Sequence, residues 1–279
     1  MTAAILLAPR GDTLAYASLR QGNADIYLMD VWHRLELRLI ASTAHDESPA
    51  WSPDGSIIAF VSDRDGDSDL YLADRFGRDI RRLTNAPGAD FSPAWSPDSE
   101  SIAFVSGRDG DMEIVVLTLA TGEVRQLTHN LTNDYAPAWR ESPEGLSVVY
   151  TSALDGNTDI FVFDLTAGTR GDFGNAVNLP FTPSWSVQGH LTYTANRGDR
   201  ARVFVQEGAG MPERALTPRE MNVNNPVWSP DGRWIAFESS HVDSRELYLI
   251  HPGSGHLRRL TRNPFPDYGA QWRPKSSRR

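Results

Sequence analysis

Short apolar runs alternate with polar turns along the whole chain, and this pattern repeats about every 44 residues. Tryptophan marks the repeat at positions 51, 95, 139, 185, 228 and 272, so successive copies lie 43 to 46 residues apart. A divergent copy begins at Leu7, 44 residues before Trp51. The chain therefore holds six full copies and the opening of a seventh, which is typical of a repeat architecture.

The second copy shows most clearly that one repeat encodes four short strands. The predicted strands are Pro49–Ser52, Ile57–Ser62, Leu70–Ala73 and Ile80–Thr84. The first two are joined by the turn Pro53-Asp54-Gly55, and Asp65-Gly66 gives a hairpin signal between the second and third. Helical periodicity is not evident, so the sequence predicts an all-β fold.

A four-stranded meander cannot bury both of its faces alone, so the copies must pack on one another, and a closed ring avoids wide exposed edges. Residues 1–274 are therefore predicted to form a single six-bladed β-propeller, followed by the basic tail 275–279. The recurring Trp is interpreted as a core residue between neighbouring blades. We expect the strand ending at Trp272 to join the first blade, so that the chain termini close the ring. Which terminal strand lies innermost, this one or Ala3–Leu7, stays open.

Composition narrows the range of partners. The 279 residues carry 27 Lys and Arg against 36 Asp and Glu, a formal net charge of -9, which disfavours nucleic acid and anionic membranes. The absence of cysteine excludes disulfides and thiolate chemistry. No apolar stretch approaches the roughly 20 residues that span a bilayer, and the N-terminus does not read as a signal peptide. We expect a soluble monomer.

The repeat unit resembles the WD40-like propeller repeat of the TolB type. Its elements are Pro-Ala-Trp-Ser-Pro-Asp-Gly, Ile-Ala-Phe-Val-Ser, Arg-Asp-Gly, Asp-Leu-Tyr-Leu and Arg-Leu-Thr, and the resemblance covers roughly residues 3 to 274. It departs from TolB itself because no N-terminal α/β domain precedes the repeats. The resemblance implies a bacterial envelope setting, periplasmic if a leader has been removed, and contact with a lipoprotein or a disordered peptide.

Catalytic motifs are scarce. A nucleophile elbow G-x-S-x-G does not occur, and the nearest sequence, Gly253-Ser254-Gly255-His256, falls in a predicted polar hairpin. The seven histidines form no H-x-x-x-H or H-E-x-x-H pair. A metal-dependent lyase of the kind that some TolB-like propellers resemble would need several His gathered in the channel by folding.

An acidic hairpin in the second copy is a candidate calcium site, because carboxylates occur there at every second residue. The candidate ligands are Asp63, Asp65, Asp67 and Asp69. The alternative is a structural hairpin in which the last acid bonds nearby backbone. This alternative is favoured because that acid recurs in five of six copies, at Asp25, Asp69, Glu113, Asp159 and Glu246. No cofactor is therefore expected, with calcium as the one exception considered.

A second recurring feature is the segment before each Trp, which in a propeller lies at one mouth of the channel. Its acids and aromatics could form a rim that holds a basic peptide, a loop or a cation. The candidate binding residues are Asp46, Asp90, Phe91, Asp134, Tyr135, Phe181, Asp267 and Tyr268. Equally, each acid could cap its turn while each aromatic covers a blade edge.

These observations favour a non-enzymatic scaffold that binds a protein or peptide partner through its channel mouth and loops. The alternative is a metal-binding propeller enzyme, of lyase or lactonase type, acting on a sugar acid or lactone in the channel. A structural subunit of a larger assembly is a third hypothesis. A fold hosts many functions, so the site must decide between them.

Overall fold

Six four-stranded antiparallel sheets stand around a central channel. The computed structural model describes residues 12–142, 145–154, 158–172, 180–196, 198–208, 211–241 and 244–275. Within that part of the chain every regular element is a strand and none is a helix, so none could cross a membrane as a long apolar helix. The predicted all-β, six-bladed propeller is confirmed.

The blades are numbered in repeat order, and each is given from its inner strand outwards. Blade 1 comprises β24 (Asp267–Trp272), β1 (Thr13–Ser18), β2 (Asp25–Asp30) and β3 (Leu35–Ile40). Blade 2 comprises β4 (Asp46–Trp51), β5 (Ile57–Ser62), β6 (Asp69–Asp74) and β7 (Arg81–Arg82). Blade 3 comprises β8 (Asp90–Trp95), β9 (Ser101–Ser106), β10 (Glu113–Thr118) and β11 (Val124–Gln126).

The second half of the ring follows the same plan. Blade 4 comprises β12 (Asp134–Ser142), β13 (Gly145–Ser152), β14 (Asp159–Asp164) and β15 (Thr169–Asp172). Blade 5 comprises β16 (Pro180–Trp185), β17 (Leu191–Asn196), β18 (Ala201–Gln206) and β19 (Arg214–Ala215). Blade 6 comprises β20 (Val223–Trp228), β21 (Ile235–His241), β22 (Ser244–Ile250) and β23 (Leu257–Arg259).

The two ends of the chain meet in blade 1. The last strand, β24, pairs antiparallel with β1, opposing Trp272 to Leu14 and Asp267 to Ser18. This confirms that the terminal strand joins the first blade, and it assigns the innermost position to the C-terminal copy. The N-terminal strand predicted over Ala3–Leu7 lies outside the described residues.

The hydrophobic core is divided among the seams between consecutive blades. Each core cluster in the described part of the chain combines residues of two neighbouring blades, as Leu28 of blade 1 and Phe60 of blade 2 share one cluster. The repeat tryptophans all lie in these clusters or pack against them. Their predicted role as core residues between blades is therefore confirmed.

Successive strands are antiparallel, so the loops of every blade divide between two faces of the ring. Inner strands begin at what we call the mouth face, which carries residues 41–45 and 63–68 and their equivalents in other blades. Residues 52–56 and 75–80 and their equivalents form the opposite face.

The indole of Trp95 links blades through a hydrogen bond as well as by packing. Its Nε1 donates to the Ala50 carbonyl of the preceding blade at 3.0 Å, whereas the buried Nε1 of Trp228 has no partner. Trp95→Phe removes this hydrogen bond, whereas Trp228→Phe removes none, so we expect Trp95→Phe to lower the free energy of unfolding by about 1 kcal/mol more than Trp228→Phe does. Urea unfolding of both variants measures the difference. Equal losses would show that the bond adds no stability.

Candidate functional site

The inner strands of the six blades line a central cavity of about 400 Å³. In each of them the third residue has a positive φ, between 50° and 65°, and sits at a break in the strand register: Ser48, Ser92, Ala136, Thr182, Asn225 and Gly269. Proline follows that residue in five blades, as at Pro49 and Pro93. Inner strands are sheet edges, and a proline there removes a donor that would otherwise point into the channel.

The channel lining mixes polar and apolar groups and carries no charged side chain. Besides the indoles of three repeat tryptophans, its hydrogen-bonding side chains are hydroxyls and amides, namely Ser48, Ser92, Thr182, Ser184, Asn225 and Gln271. Among the described residues that line the cavity there is neither a carboxylate nor an imidazole. The converging acids and histidines that a channel enzyme requires are therefore not found along this lining.

The four aspartates predicted at the mouth begin their inner strands and are fully buried, each at 0% exposure: Asp46, Asp90, Asp134 and Asp267. An open acidic rim is thus not what they form. Asp46 accepts a hydrogen bond from Ser42 Oγ at 2.7 Å, and Asp134 and Asp267 accept one from Asn130 and Asn263 at 2.7 and 2.6 Å. The contacts of these three acids match the alternative interpretation, in which each acid caps its own turn.

Arginines from the loop between the second and third strands neutralise three of these acids. Arg64 pairs with Asp46 at 2.7 Å, Arg20 with Asp267 at 3.3 Å, and Arg108 lies 3.9 Å from Asp90. Burial raises the pKa values of Asp90 and Asp267, while nearby hydroxyls and the arginines lower them.

These arginines are held in place by the strands beneath them. Arg64 Nε donates to Ser62 Oγ at 2.9 Å, and its guanidinium carbon lies 5.4 Å and 4.8 Å from the ring centroids of Phe60 and Tyr71. A guanidinium in that position gains cation–π attraction while it pairs with the buried acid.

The aromatic residues predicted at the mouth differ in exposure. Tyr135 is open, with 41% of its surface exposed. Phe91 packs against two core clusters, and Tyr268 donates a hydrogen bond to Glu47 Oε2 at 2.8 Å beneath Arg245. Burial and the Glu47 carboxylate raise the pKa of Tyr268. Phe181 lies in β16, and its side chain is outside the described residues.

One buried acid at the mouth was missed by the sequence analysis. Glu238 is 1% exposed and accepts hydrogen bonds from Asn225 Nδ2 and Gly269 N, both at 2.7 Å. Arg245 lies 3.5 Å from its other oxygen, and burial raises the pKa of this carboxyl group. The signal was present, because the other blades have Ala17, Val61, Val105, Thr151 and Thr194 at this strand position.

The candidate calcium ligands bind other parts of the protein. Asp63 accepts a hydrogen bond from the His45 amide at 2.8 Å, Asp65 accepts one from the Tyr71 hydroxyl, and Asp69 forms an ion pair with Arg82. Asp67 is the fourth predicted ligand. The described residues contain no group of three or more acids and histidines placed to hold a metal ion. Calcium binding at this hairpin stays a prediction.

The recurring acid that starts the third strand also pairs with an arginine, in this case from the fourth strand. Asp25 pairs with Arg38 at 2.7 Å, Asp69 with Arg82, and Glu246 with Arg259. Glu113 differs, because Gln126 occupies the place of that arginine and the chain supplies a backbone donor, Asn130 N, at 2.8 Å. Backbone bonding was predicted for this whole set, and Glu113 shows it.

The fold and the channel together define a class of protein: a closed six-bladed propeller of WD40-like blades around an uncharged channel. Its sequence shows which family within that class it belongs to. The family model of the TolB β-propeller domain matches residues 1–86 and again residues 77–179. The chain therefore belongs to the TolB β-propeller family.

Individual relatives agree with this assignment. The Tol-Pal system protein TolB of Anaeromyxobacter dehalogenans is 28% identical over 120 residues, which are 42% of this chain and 27% of the relative. The crystal structure of TolB from Acinetobacter baumannii superposes with a TM-score of 0.82 at 22% identity, covering 98% of this chain and 70% of that one. The matches to curated relatives cover between 15% and 44% of those proteins' own lengths.

A more distant likeness concerns the enzyme alternative. An oligogalacturonate lyase in complex with manganese superposes with a TM-score of 0.56 at 17% identity, covering 91% of this chain and 74% of that one. At that identity the likeness extends to the fold alone.

Glu113 provides a pH-dependent test of the buried acids. Burial and the neighbouring charges of Asp134 and Asp111 raise its pKa, although Thr128 and Asn130 N lower it. A raised pKa means that the native state binds the proton more tightly than the unfolded chain, so ionisation at neutral pH destabilises the fold. We expect Glu113→Gln to raise Tm at pH 7, and the gain to disappear below the unfolded-state pKa of about 4.3.

Melting curves of the two proteins between pH 4 and 8 measure this gain. Glu246→Gln is the matched control, since it removes the same kind of acid from a pair with Arg259 and should lower Tm at pH 7. A Glu113→Gln gain that is independent of pH would contradict the role assigned to its charge.

Proposed function

We propose that this protein is a non-enzymatic scaffold whose mouth face binds a segment of another polypeptide. Membership of the TolB β-propeller family supports this function, and a relative's name assigns that relative to the Tol-Pal system. The uncharged channel lining offers hydroxyl, amide and backbone groups that suit a peptide better than a reaction centre.

The observation that carries the proposal is the exposure of apolar side chains at the mouth face of blade 4. Tyr135 is 41% exposed at the start of β12, and Leu131, in the loop before it, is 98% exposed. Tyrosine and leucine side chains held open beside a concave surface are common features of protein-binding sites.

The rigidity of the ring adds to this argument. Tyr135 lies in β12, which pairs with β13 and belongs to a blade that packs in the core cluster shared by blades 3 and 4, so little conformational freedom is lost when a partner docks. Tyr135 pairs directly with Thr151 in β13, which fixes its backbone. The partner is therefore proposed to contact a preformed surface.

The enzyme alternative receives no support from the channel. A lyase or lactonase would need acids or histidines converging on the substrate, and the described lining residues include neither. The distant oligogalacturonate lyase fold does not add to it.

Selection from a displayed random-peptide library, with the full chain as bait, tests the proposal. We expect selected peptides to lose roughly tenfold or more in affinity for Tyr135→Ala, as central aromatic contacts commonly do. Phe76→Ala is the matched control, because Phe76 is 38% exposed on the opposite face. Failure to select any peptide, or equal loss with both variants, would contradict binding at the mouth face.

A further inference from the structure

Blade 6 presents an amide to the channel at a position where the other blades present smaller side chains. Asn225 is the third residue of β20, lines the central cavity and has a φ of 51°. Asparagine is one of the few residues besides glycine that adopt this left-handed conformation readily. The equivalent residues carry a hydroxyl, a methyl group or no side chain at all: Ser48, Ser92, Ala136, Thr182 and Gly269.

Glu238 holds this amide in one orientation. Its Oε1 accepts hydrogen bonds from Asn225 Nδ2 and from Gly269 N, each at 2.7 Å. The backbone N–H of Gly269 can only donate, so Oε1 is an acceptor, and the nitrogen of the Asn225 amide must face it. Glu238 is 1% exposed and Arg245 lies 3.5 Å from its other oxygen, so burial and an ion pair hold the carboxyl group itself in place.

The oxygen of the same amide is left open. Asn225 Oδ1 accepts no hydrogen bond from any described residue, yet it is not buried. Since Asn225 lines the central cavity, this oxygen is accessible from the channel. The adjacent backbone supplies no donor, because Pro226 has no N–H and Gly269 N is already bonded to Glu238. The wall of the channel at blade 6 therefore offers an unused acceptor.

We propose that Asn225 Oδ1 accepts a hydrogen bond from a backbone N–H of the bound polypeptide, and that Glu238 is the positioning residue that keeps this oxygen available. This inference rests on the proposed function and extends it from the mouth face into the channel. The bound segment would contact the exposed side chain of Tyr135 at blade 4 and the amide oxygen at blade 6.

The surroundings of the oxygen favour a neutral donor over a cation. The described lining residues carry no charged side chain, so a cation in the channel would lose water without gaining a carboxylate. Calcium takes six to eight oxygen ligands, and the described residues contain no group of acids and histidines placed to hold a metal ion. A backbone N–H carries no charge, and the small side chains around the channel leave room for the main chain that bears it.

The probe for a direct test is the tightest peptide selected against the full chain, together with its analogues that are N-methylated at one peptide bond each. Asn225→Ala copies Ala136 of blade 4, so the fold already accommodates alanine at this position. We expect Asn225→Ala to weaken the peptide about fivefold, the loss of one neutral hydrogen bond. One N-methylated analogue should lose a similar factor against the parent chain and lose nothing further against Asn225→Ala.

Two outcomes of this cycle would overturn the proposal. In one, every N-methylation costs as much against Asn225→Ala as against the parent chain, so no backbone N–H of the peptide is coupled to the amide. In the other, the dependence on Asn225 is removed by replacing a lysine or arginine side chain of the peptide instead, so the donor is not a backbone N–H.

Two substitutions of Glu238 separate positioning from stability. Glu238→Val copies Val61 and Val105 at the equivalent strand position but removes the acceptor that orients Asn225, whereas Glu238→Gln keeps an acceptor oxygen. We expect Glu238→Val to weaken the peptide about fivefold and Glu238→Gln to retain the parent affinity, at temperatures where melting curves show both variants folded. In the background of Asn225→Ala, Glu238→Val should cost no further affinity. A lower Tm without a loss of affinity would make Glu238 a structural residue only.

The same measurements distinguish this inference from the proposed function. If selected peptides depend on Tyr135 but bind Asn225→Ala as tightly as the parent chain, the channel acceptor is wrong while binding at the mouth face stands. If no peptide can be selected, the proposed function fails and this inference fails with it. Phe76→Ala, on the opposite face, is again the control that should leave the affinity unchanged.

Discussion

The structure depends on burial between blades. A single four-stranded blade has two apolar faces and no layer of its own to cover them, so each core cluster is shared by two blades. Such an arrangement is stable only if the last blade finds a partner too, and the pairing of β24 with β1 provides it. Closure also covers the cluster that joins Leu14 and Trp272. The ends of the chain are therefore as important for the core as any central repeat.

The same burial determines the chemistry of the mouth face. Acids that begin strands at a seam are removed from water, so their charges need partners within the protein. Arginines placed two residues beyond the second strand meet that need, and stacking on aromatic rings orients them, as Arg64 shows over Phe60 and Tyr71. In a repeat protein, a residue that differs from its counterparts in the other copies is easily recognised. Leu154 and Gln126 are ordinary residues by themselves, and only comparison with the other blades shows what they fail to supply.

The repeat period predicted the blade count, the strand order and the role of the tryptophans, because spacing and apolar pattern are local properties. The mouth aspartates were placed less well. Pro49 was predicted to begin the first strand of blade 2, whereas β4 begins at Asp46, which makes the acid part of the sheet instead of an exposed loop. The arginine 18 residues later was a usable signal for Asp46 and Asp90. It could not be read for Asp267, whose partner Arg20 lies 247 positions away and is brought near only by closure of the ring.

The function then depends on the groups that stay available to a partner once the buried charges between blades are paired. In the channel, proline and small residues on the inner strands leave an uncharged wall of polar and apolar groups, which can accommodate backbone and whose described residues include no acid or imidazole to move a proton. At the mouth face, most acids are already paired within the chain, so general attraction of basic partners is weaker than the net charge of -9 suggests. The proposed recognition therefore relies on places where apolar side chains are exposed instead of on general charge. Blade 4 is such a place, with Tyr135 and Leu131 exposed at its mouth face.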